Sequence, residues 1–313
     1  MLSVLYRFRR SPSRSIGERI LKILARPAIR LALSRIPDPA VQVEIGRRKL
    51  WINWSHNLPS FLASYPNYET EIGRLAALIH ERDGRLTMID VGANVGDTIA
   101  CLPPLSNAAF LCVEASKRYF ELLRRNYGTE IGVTLVLALL GDGDRTQRGL
   151  TLQESGGTAH VGGTDGESAG VPIATLDELV TQNSAFYGAN FLKVDTDGYD
   201  LRVLRGASSL LDRAHPCLHV EMSTRHWRDY GNSSATEAIA YLSQHGYDHM
   251  LLYDNQGFLI GADRLSAPKL LPAIADYAMR KDGFYANVVA FHSQCPYAMD
   301  FLGRELMAER RGS

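Results

Sequence analysis

The sequence carries no net charge: 34 Lys and Arg balance 34 Asp and Glu over 313 residues. A globally basic surface for nucleic acid is therefore excluded. Cysteine is scarce, and Cys101, Cys112, Cys217 and Cys295 form no C-x-x-C pair. That spacing fits neither a disulfide framework nor a zinc site, so buried thiols in a reducing cytoplasm are expected. No apolar run is long enough to cross a membrane, because arginines interrupt the N-terminal segment every few residues. For the same reason no signal-peptide core is expected.

What is present is ordinary for a globular protein, with 45% hydrophobic and 22% charged residues. The charge is unevenly placed. Residues 1–36 hold nine Lys/Arg against one Glu, a net of +8 that leaves −8 for the remainder. Over 16–36, Ile20, Leu21, Ile23, Leu24, Ile29, Leu31 and Leu33 lie among basic residues as in an amphipathic helix. Such a helix docks on its own domain or on a partner chain, or lies on an anionic membrane surface. A cytoplasmic protein with peripheral membrane contact through this helix is one expectation, and a homo-oligomer is another.

The most informative stretch reads Asp90-Val-Gly-Ala-Asn-Val-Gly96-Asp-Thr, between an apolar run and a helical pattern. A strand that ends in a carboxylate, turns on glycines and feeds a helix makes a cofactor cradle. Gly92 and Gly96 suit backbone angles closed to other residues and let a ligand approach the main chain. The helix that follows presents unpaired N–H groups. A dinucleotide fingerprint needs G-x-G-x-x-G. Here Asn94 holds the middle position and the last glycine is missing, which suits a smaller cationic nucleoside such as S-adenosylmethionine better than NAD.

After short strands at 41–45 and 49–52 and a helix at 68–81, strands and helices alternate. Strands are predicted at 87–91, 109–114, 134–139, 191–194, 217–222, 248–253 and 284–291. Helices fall between them, one of them opened by the capping-box pair Thr175 and Glu178. A Gly/Ser/Thr-rich segment at 154–170 reads as a lid or as a surface insertion. The pattern predicts an α/β fold with a mostly parallel sheet covered on both faces. Three parts are expected: a basic helical extension and lead-in over 1–50, the main domain over 51–293, and a tail over 294–313.

Ligands in such sheets bind at the carboxyl ends of the strands. That rule lines up Asp90, Glu114, Asp142, Asp195 and Glu221 on one rim. Glu114 can accept both ribose hydroxyls of an adenosine. Asp142 takes the adenine amino group or is a plain turn residue. Asp90 orders the glycine loop and balances the cofactor's ammonium or sulfonium. Buried carboxylates need partners, so Asp195 and Glu221 are the candidate catalytic groups. The structural alternatives are a turn cap for Asp195, and for Glu221 a salt bridge with Arg225 or Lys193. His219 reads as a core residue. His56 and Asp197 are expected on the acceptor side, with an ordinary loop histidine as the alternative for His56. Asp195, Asp197 and Glu221 are residue types that hold Mg²⁺, but no metal is expected.

Four blocks together resemble the FkbM family of S-adenosylmethionine-dependent methyltransferases. They are the Asp90–Thr98 turn, Val113-Glu-Ala, Thr175-Leu-Asp-Glu-Leu, and Leu192-Lys-Val-Asp-Thr-Asp-Gly-Tyr-Asp-Leu-Arg-Val-Leu-Arg-Gly-Ala207. The lead-in Ser55-His-Asn-Leu-Pro59 extends the resemblance, which covers roughly 50–292. Where the family often has Val-Glu-Gly, this chain has Thr196-Asp197-Gly198, which keeps the acid. The resemblance implies a class I methyltransferase fold, a seven-stranded Rossmann-like sheet whose last strand is antiparallel. It also implies O-methylation, often of sugar hydroxyls or natural products.

Methyl transfer from a sulfonium is an in-line displacement, so the acceptor must be aligned. A weakly nucleophilic hydroxyl gains from a carboxylate that takes its proton. The expected partner is a small-molecule or glycan acceptor and not nucleic acid, since the Asp/Asn-Pro-Pro-aromatic motif of amino-group methylation is missing. An NAD-type oxidoreductase and a catalytically silent binding module of the same fold are the competing readings.

Overall fold

The computed structural model describes Tyr6 and residues 38–144, 151–161, 171–229 and 233–312. The basic segment 16–36 and the stretch 162–170 lie outside the described residues. The chain opens with the hairpin β1 (Ala40–Ile45) and β2 (Arg48–Asn53), then helices α1 (Leu58–Ser64) and α2 (Thr70–Asp83). Next come β3 (Leu86–Val91), α3 (Asp97–Cys101), β4 (Ala108–Glu114), α4 (Lys117–Tyr127) and β5 (Val133–Leu137). Short β6 (Leu139–Leu140) precedes a second hairpin, β7 (Leu152–Ser155) and β8 (Thr158–Val161), then β9 (Ile173–Ala174) and α5 (Leu176–Gln182). The second half runs β10 (Phe191–Val194), α6 (Asp200–Arg205), α7 (Ser208–Ala214), β11 (Cys217–Met222), α8 (Thr224–Asp229) and α9 (Ala235–Gln244). It ends with β12 (Tyr247–Asp254), β13 (Leu259–Arg264), α10 (Leu270–Arg280), β14 (Ala286–His292) and α11 (Ala298–Gly312).

The main sheet has the order β13-β12-β14-β11-β10-β3-β4-β5. From β5 to β11 neighbouring strands are parallel, and β14 inserts antiparallel between β11 and β12. This is the class I methyltransferase arrangement. An eighth strand, β13, extends the expected seven at the edge. Its half-exposed Leu-Ile-Gly-Ala-Asp-Arg sequence gave little strand signal, because Gly261 and Asp263 both disfavour extended structure.

The sheet is buried on both faces, which is why β3, β10, β11 and β14 are mostly apolar. Leu75, Leu78 and Ile79 of α2 pack with Met88, Phe191 and Phe291 on one face, while Leu201, Leu204 and Leu211 meet Ile89, Leu192 and Val220 on the other. Strand order reverses at β3, which has β4 and β10 as its two neighbours. The switch point therefore sets the Gly92 turn beside the loop after β10.

Packing divides the chain differently from composition. The boundary at 50/51 falls inside β2, and Val43, Ile45, Leu50 and Ile52 share one core cluster with Ala93, Val95, Ile99 and Tyr127. The segment 294–313 contains α11, whose Phe301 is buried and whose Glu305 pairs with Arg74 at 2.6 Å and accepts from the Tyr253 hydroxyl at 2.9 Å. Among the described residues no helix is long and apolar enough to cross a membrane.

Candidate active site

At the turn after β3, Gly92 has φ +84° and Gly96 φ +87°. Both glycines are required, but by the protein itself. A Cβ on Gly92 would stand 1.8 Å from the Asp195 carbonyl oxygen, and one on Gly96 would stand 2.2 Å from the Tyr127 ring. The Tyr127 hydroxyl also donates to the Gly96 carbonyl at 2.7 Å. Gly92 lines the cavity described next; Gly96 does not. Gly96 is the packing point of α4 on the N-terminus of α3.

Asn94, also left-handed at φ +49°, is the junction of the site. Its backbone N–H donates to Glu114 Oε2 at 2.8 Å, and its Nδ2 donates to the Gly157 carbonyl at 2.5 Å. Its Oδ1 faces His56 Nε2 at 3.3 Å. His56 Nδ1 accepts from the Leu58 N–H at 3.2 Å, which puts the imidazole proton on Nε2, donated to Asn94. Both ring nitrogens are engaged, so His56 is a strut of the cavity wall and not a base.

These residues enclose a cavity of about 380 Å³ at the carboxyl ends of β3, β4, β10 and β11. Its roof is the tip of the β7–β8 hairpin, within the segment read as lid or insertion. Gly156 accepts from the Asn57 N–H at 2.8 Å, Gly157 abuts the His56 ring, and the Glu154 carboxylate accepts from the Ser116 hydroxyl. On the floor, Glu114 accepts from Asn94 N–H and, through Oε1, from Ser116 N–H at 2.7 Å. Burial pushes the Glu114 carboxyl up to about 7 against the pull of those N–H groups. It is a fixed double acceptor whose remaining lone pairs face the cavity.

The far side is acidic. Lys193, 2% exposed on β10, lies 3.0 Å from Asp195 Oδ2 and 3.7 Å from Asp90 Oδ1. Burial would depress this ammonium, but Asp195, Asp90 and Glu69 outweigh it and hold it well above the usual lysine value. Burial and the neighbouring acids raise Asp197 to about 8 and Glu221 well above the carboxylate range. Glu69 rises to about 8 and Asp97 to about 6, both through burial first. Asp200 holds the loop in shape: its oxygens accept from the N–H groups of Thr196 (2.9 Å) and Gly198 (3.1 Å) and from the Trp227 indole (2.9 Å).

Of the residues singled out from sequence, His56, Gly92, Asn94, Glu114, Asp195, Asp197 and Glu221 converge on this cavity. Asp90, Gly96 and Asp142 do not line it. Asp90 is fully buried beneath the turn and acts on Lys193. Asp142 pairs with Arg202 at 3.1 Å and caps its own turn by accepting from Asp144 N–H at 3.2 Å, as in the turn reading. The salt bridge considered for Glu221 is also missing, since Arg225 pairs with Asp282 and Lys193 with Asp90 and Asp195. His219 is a core residue, 3.0 Å from buried Glu71. Sequence reasoning passed over Lys193, Glu69, Asp97 and His226, which all line the cavity. Lys193 carried a signal, a lysine inside a strand buried on both faces; His226 carried none.

The family described as Methyltransferase FkbM domain matches residues 90–248, just over half of the chain. The chain belongs to the FkbM methyltransferase family. Curated proteins give no match. Among solved structures, methyltransferase FkbM from Methylobacillus flagellatus is similar at 15% identity, covering 62% of this chain and 55% of its own, with a TM-score of 0.34. The O-methyltransferase from Bacillus cereus in complex with SAH is 11% identical, with 84% and 96% covered and a TM-score of 0.35. Trm1 from Pyrococcus horikoshii with S-adenosyl-L-methionine is 14% identical, with 84% and 64% covered and a TM-score of 0.40. Likenesses of that size say nothing of substrate.

As an FkbM methyltransferase the chain uses S-adenosylmethionine, and its cavity fits that group. Six lining acids (Glu69, Asp97, Glu114, Asp195, Asp197 and Glu221) face one lining lysine, and a bound cation would favour the ionised forms of those whose protons burial holds. Glu114 would take the ribose hydroxyls, and the acidic side would face the sulfonium.

Proposed function

We propose that this FkbM methyltransferase transfers its methyl group to a hydroxyl, of a sugar, a glycoconjugate or another natural product. The observation that carries this reading is the Asp195 carboxylate at the end of the central strand β10. It lines the cavity and is held by Lys193 at 3.0 Å. A hydroxyl becomes a competent nucleophile as its proton leaves, and a positioned carboxylate can receive it. Bound S-adenosylmethionine supplies an electrophilic methyl. Lys193 fixes the direction of Asp195, Asp200 fixes the loop after it, and the β7–β8 hairpin keeps water from the reacting atoms. Tyr68 and Tyr285, their hydroxyls 3.5 Å apart, line the acceptor side with amphipathic surface of the kind that packs on sugar rings.

The test is incubation of the full chain with methyl-labelled S-adenosylmethionine and a panel of nucleotide sugars, glycolipids and hydroxylated metabolites. The expected product is an alkali-stable methyl ether. Label appearing only on nitrogen or as a methyl ester would overturn the reading, and no label with any acceptor would favour a silent binding module.

A further inference from the structure

Glu221 is 8% exposed and lines the cavity, yet among the described residues no ion pair reaches it. A carboxylate so buried is costly without a compensating charge. Two further donors stand beside it. Gly198, at φ +114°, lets the start of α8 press against the loop after β10, where a Cβ would stand 2.6 Å from the His226 carbonyl oxygen. That contact sets His226 Nδ1 3.9 Å from Asp197 Oδ1. One ligand atom each from Asp197, Glu221 and His226 lies within 4.8 Å of the others.

We propose that Asp197, Glu221 and His226 hold one divalent first-row transition ion of the Mn²⁺ class. Ligands at about 2.0–2.2 Å from an ion lie at most about 4.0–4.4 Å apart, so the triad closes with small side-chain adjustments. One imidazole nitrogen with two carboxylates suits such an ion better than Mg²⁺, which favours oxygen and retained water. A divalent cation supplies the charge that Glu221 lacks, and three protein donors leave coordination positions open towards the cavity. The sequence pointed to no metal because His226 stands on a different element from the acids, five residues past Glu221 and without a recognisable spacing. The site stands apart from the choice of methyl acceptor.

The full chain, stripped with a chelator and dialysed, is titrated with MnCl₂ while free Mn²⁺ is read by electron paramagnetic resonance. One equivalent per chain is expected to bind, displaced by Zn²⁺ and not by equal Mg²⁺. His226→Ala, at a side chain 40% exposed, and Glu221→Gln each weaken binding by at least about tenfold, since even outer-shell partners of a metal are worth that much. Glu81→Gln, on the surface pair with Arg304, leaves it unchanged. Spin-echo modulation from a coordinated ¹⁴N is expected in the wild type and is lost in His226→Ala. No binding, weak binding to many sites, variants that bind as the wild type, or bound Mn²⁺ without ¹⁴N modulation would each overturn the proposal. Calorimetry with S-adenosylhomocysteine on the same samples separates loss of the metal from loss of the cofactor site.

Discussion

Glu114 and Asp195 end the two strands that flank β3, yet their surroundings are built on opposite plans. Around Glu114 each polar group has a protein partner: both carboxylate oxygens accept backbone N–H, and Asn94 joins the carboxylate, the hairpin and His56. Around Asp195, acids crowd together with one lysine among them, and among the described residues Glu221 has no cation beside it. The first half is complete before anything binds, as befits a ligand of constant shape. The second depends on charge brought from outside. On the proposed reading, preorganisation would fix where the nucleoside lies, and electrostatic shortage what sign of charge can join it.

Three measurements would break or sharpen that contrast. The largest effect belongs to Asp195. Asp195→Asn should lower turnover by roughly 10²–10⁴ while leaving S-adenosylhomocysteine affinity in place; an active variant would move the base elsewhere. Next is Glu114→Ala, which should weaken S-adenosylhomocysteine by about 1–3 kcal/mol in calorimetry, since the ribose hydroxyls would lose their charged acceptor. Asp142→Ala, whose partner is Arg202 outside the cavity, serves as the control with unchanged affinity.

The smallest effect is a pH dependence. Glu69 and Asp197, near 8, and Glu114, near 7, bind protons more tightly folded than unfolded. Their contribution to stability is therefore full below the unfolded carboxylate range and is lost as pH rises through those values. A cation favours their ionised forms. The denaturation midpoint of the free protein should fall from about pH 6 to about pH 8, and the affinity ratio of S-adenosylmethionine to S-adenosylhomocysteine should rise, by at most about tenfold per pH unit for each proton released. A flat ratio would mean that the acidic half is neutralised from within.

The strands that build the rim were readable because burial on both faces makes them mostly apolar, broken only by residues such as Lys193, His219 and Glu221; β10 and β11 were placed to the residue. Caps were readable too, with Thr175 and Glu178 forming the box their spacing promised. What escaped was set by tertiary contact. The strand β13 has half-exposed, propensity-poor residues, and α11 was taken as a tail. Within the site, carboxylates at strand ends were found by position, but position alone could not tell Glu114, open to the cavity, from Asp90 one strand away and sealed beneath it. Partners on loops, His226 above all, have no period to betray them.

The near-collision at Gly92 has its own consequence. Because the missing side chain there is the space filled by the Asp195 carbonyl, the glycine turn that lines the cavity and the backbone of the proposed proton acceptor are one mechanical contact. Any bulk added at that floor would be transmitted to the chemistry first. An alanine at position 92 should leave an enzyme that fills with cofactor and stalls.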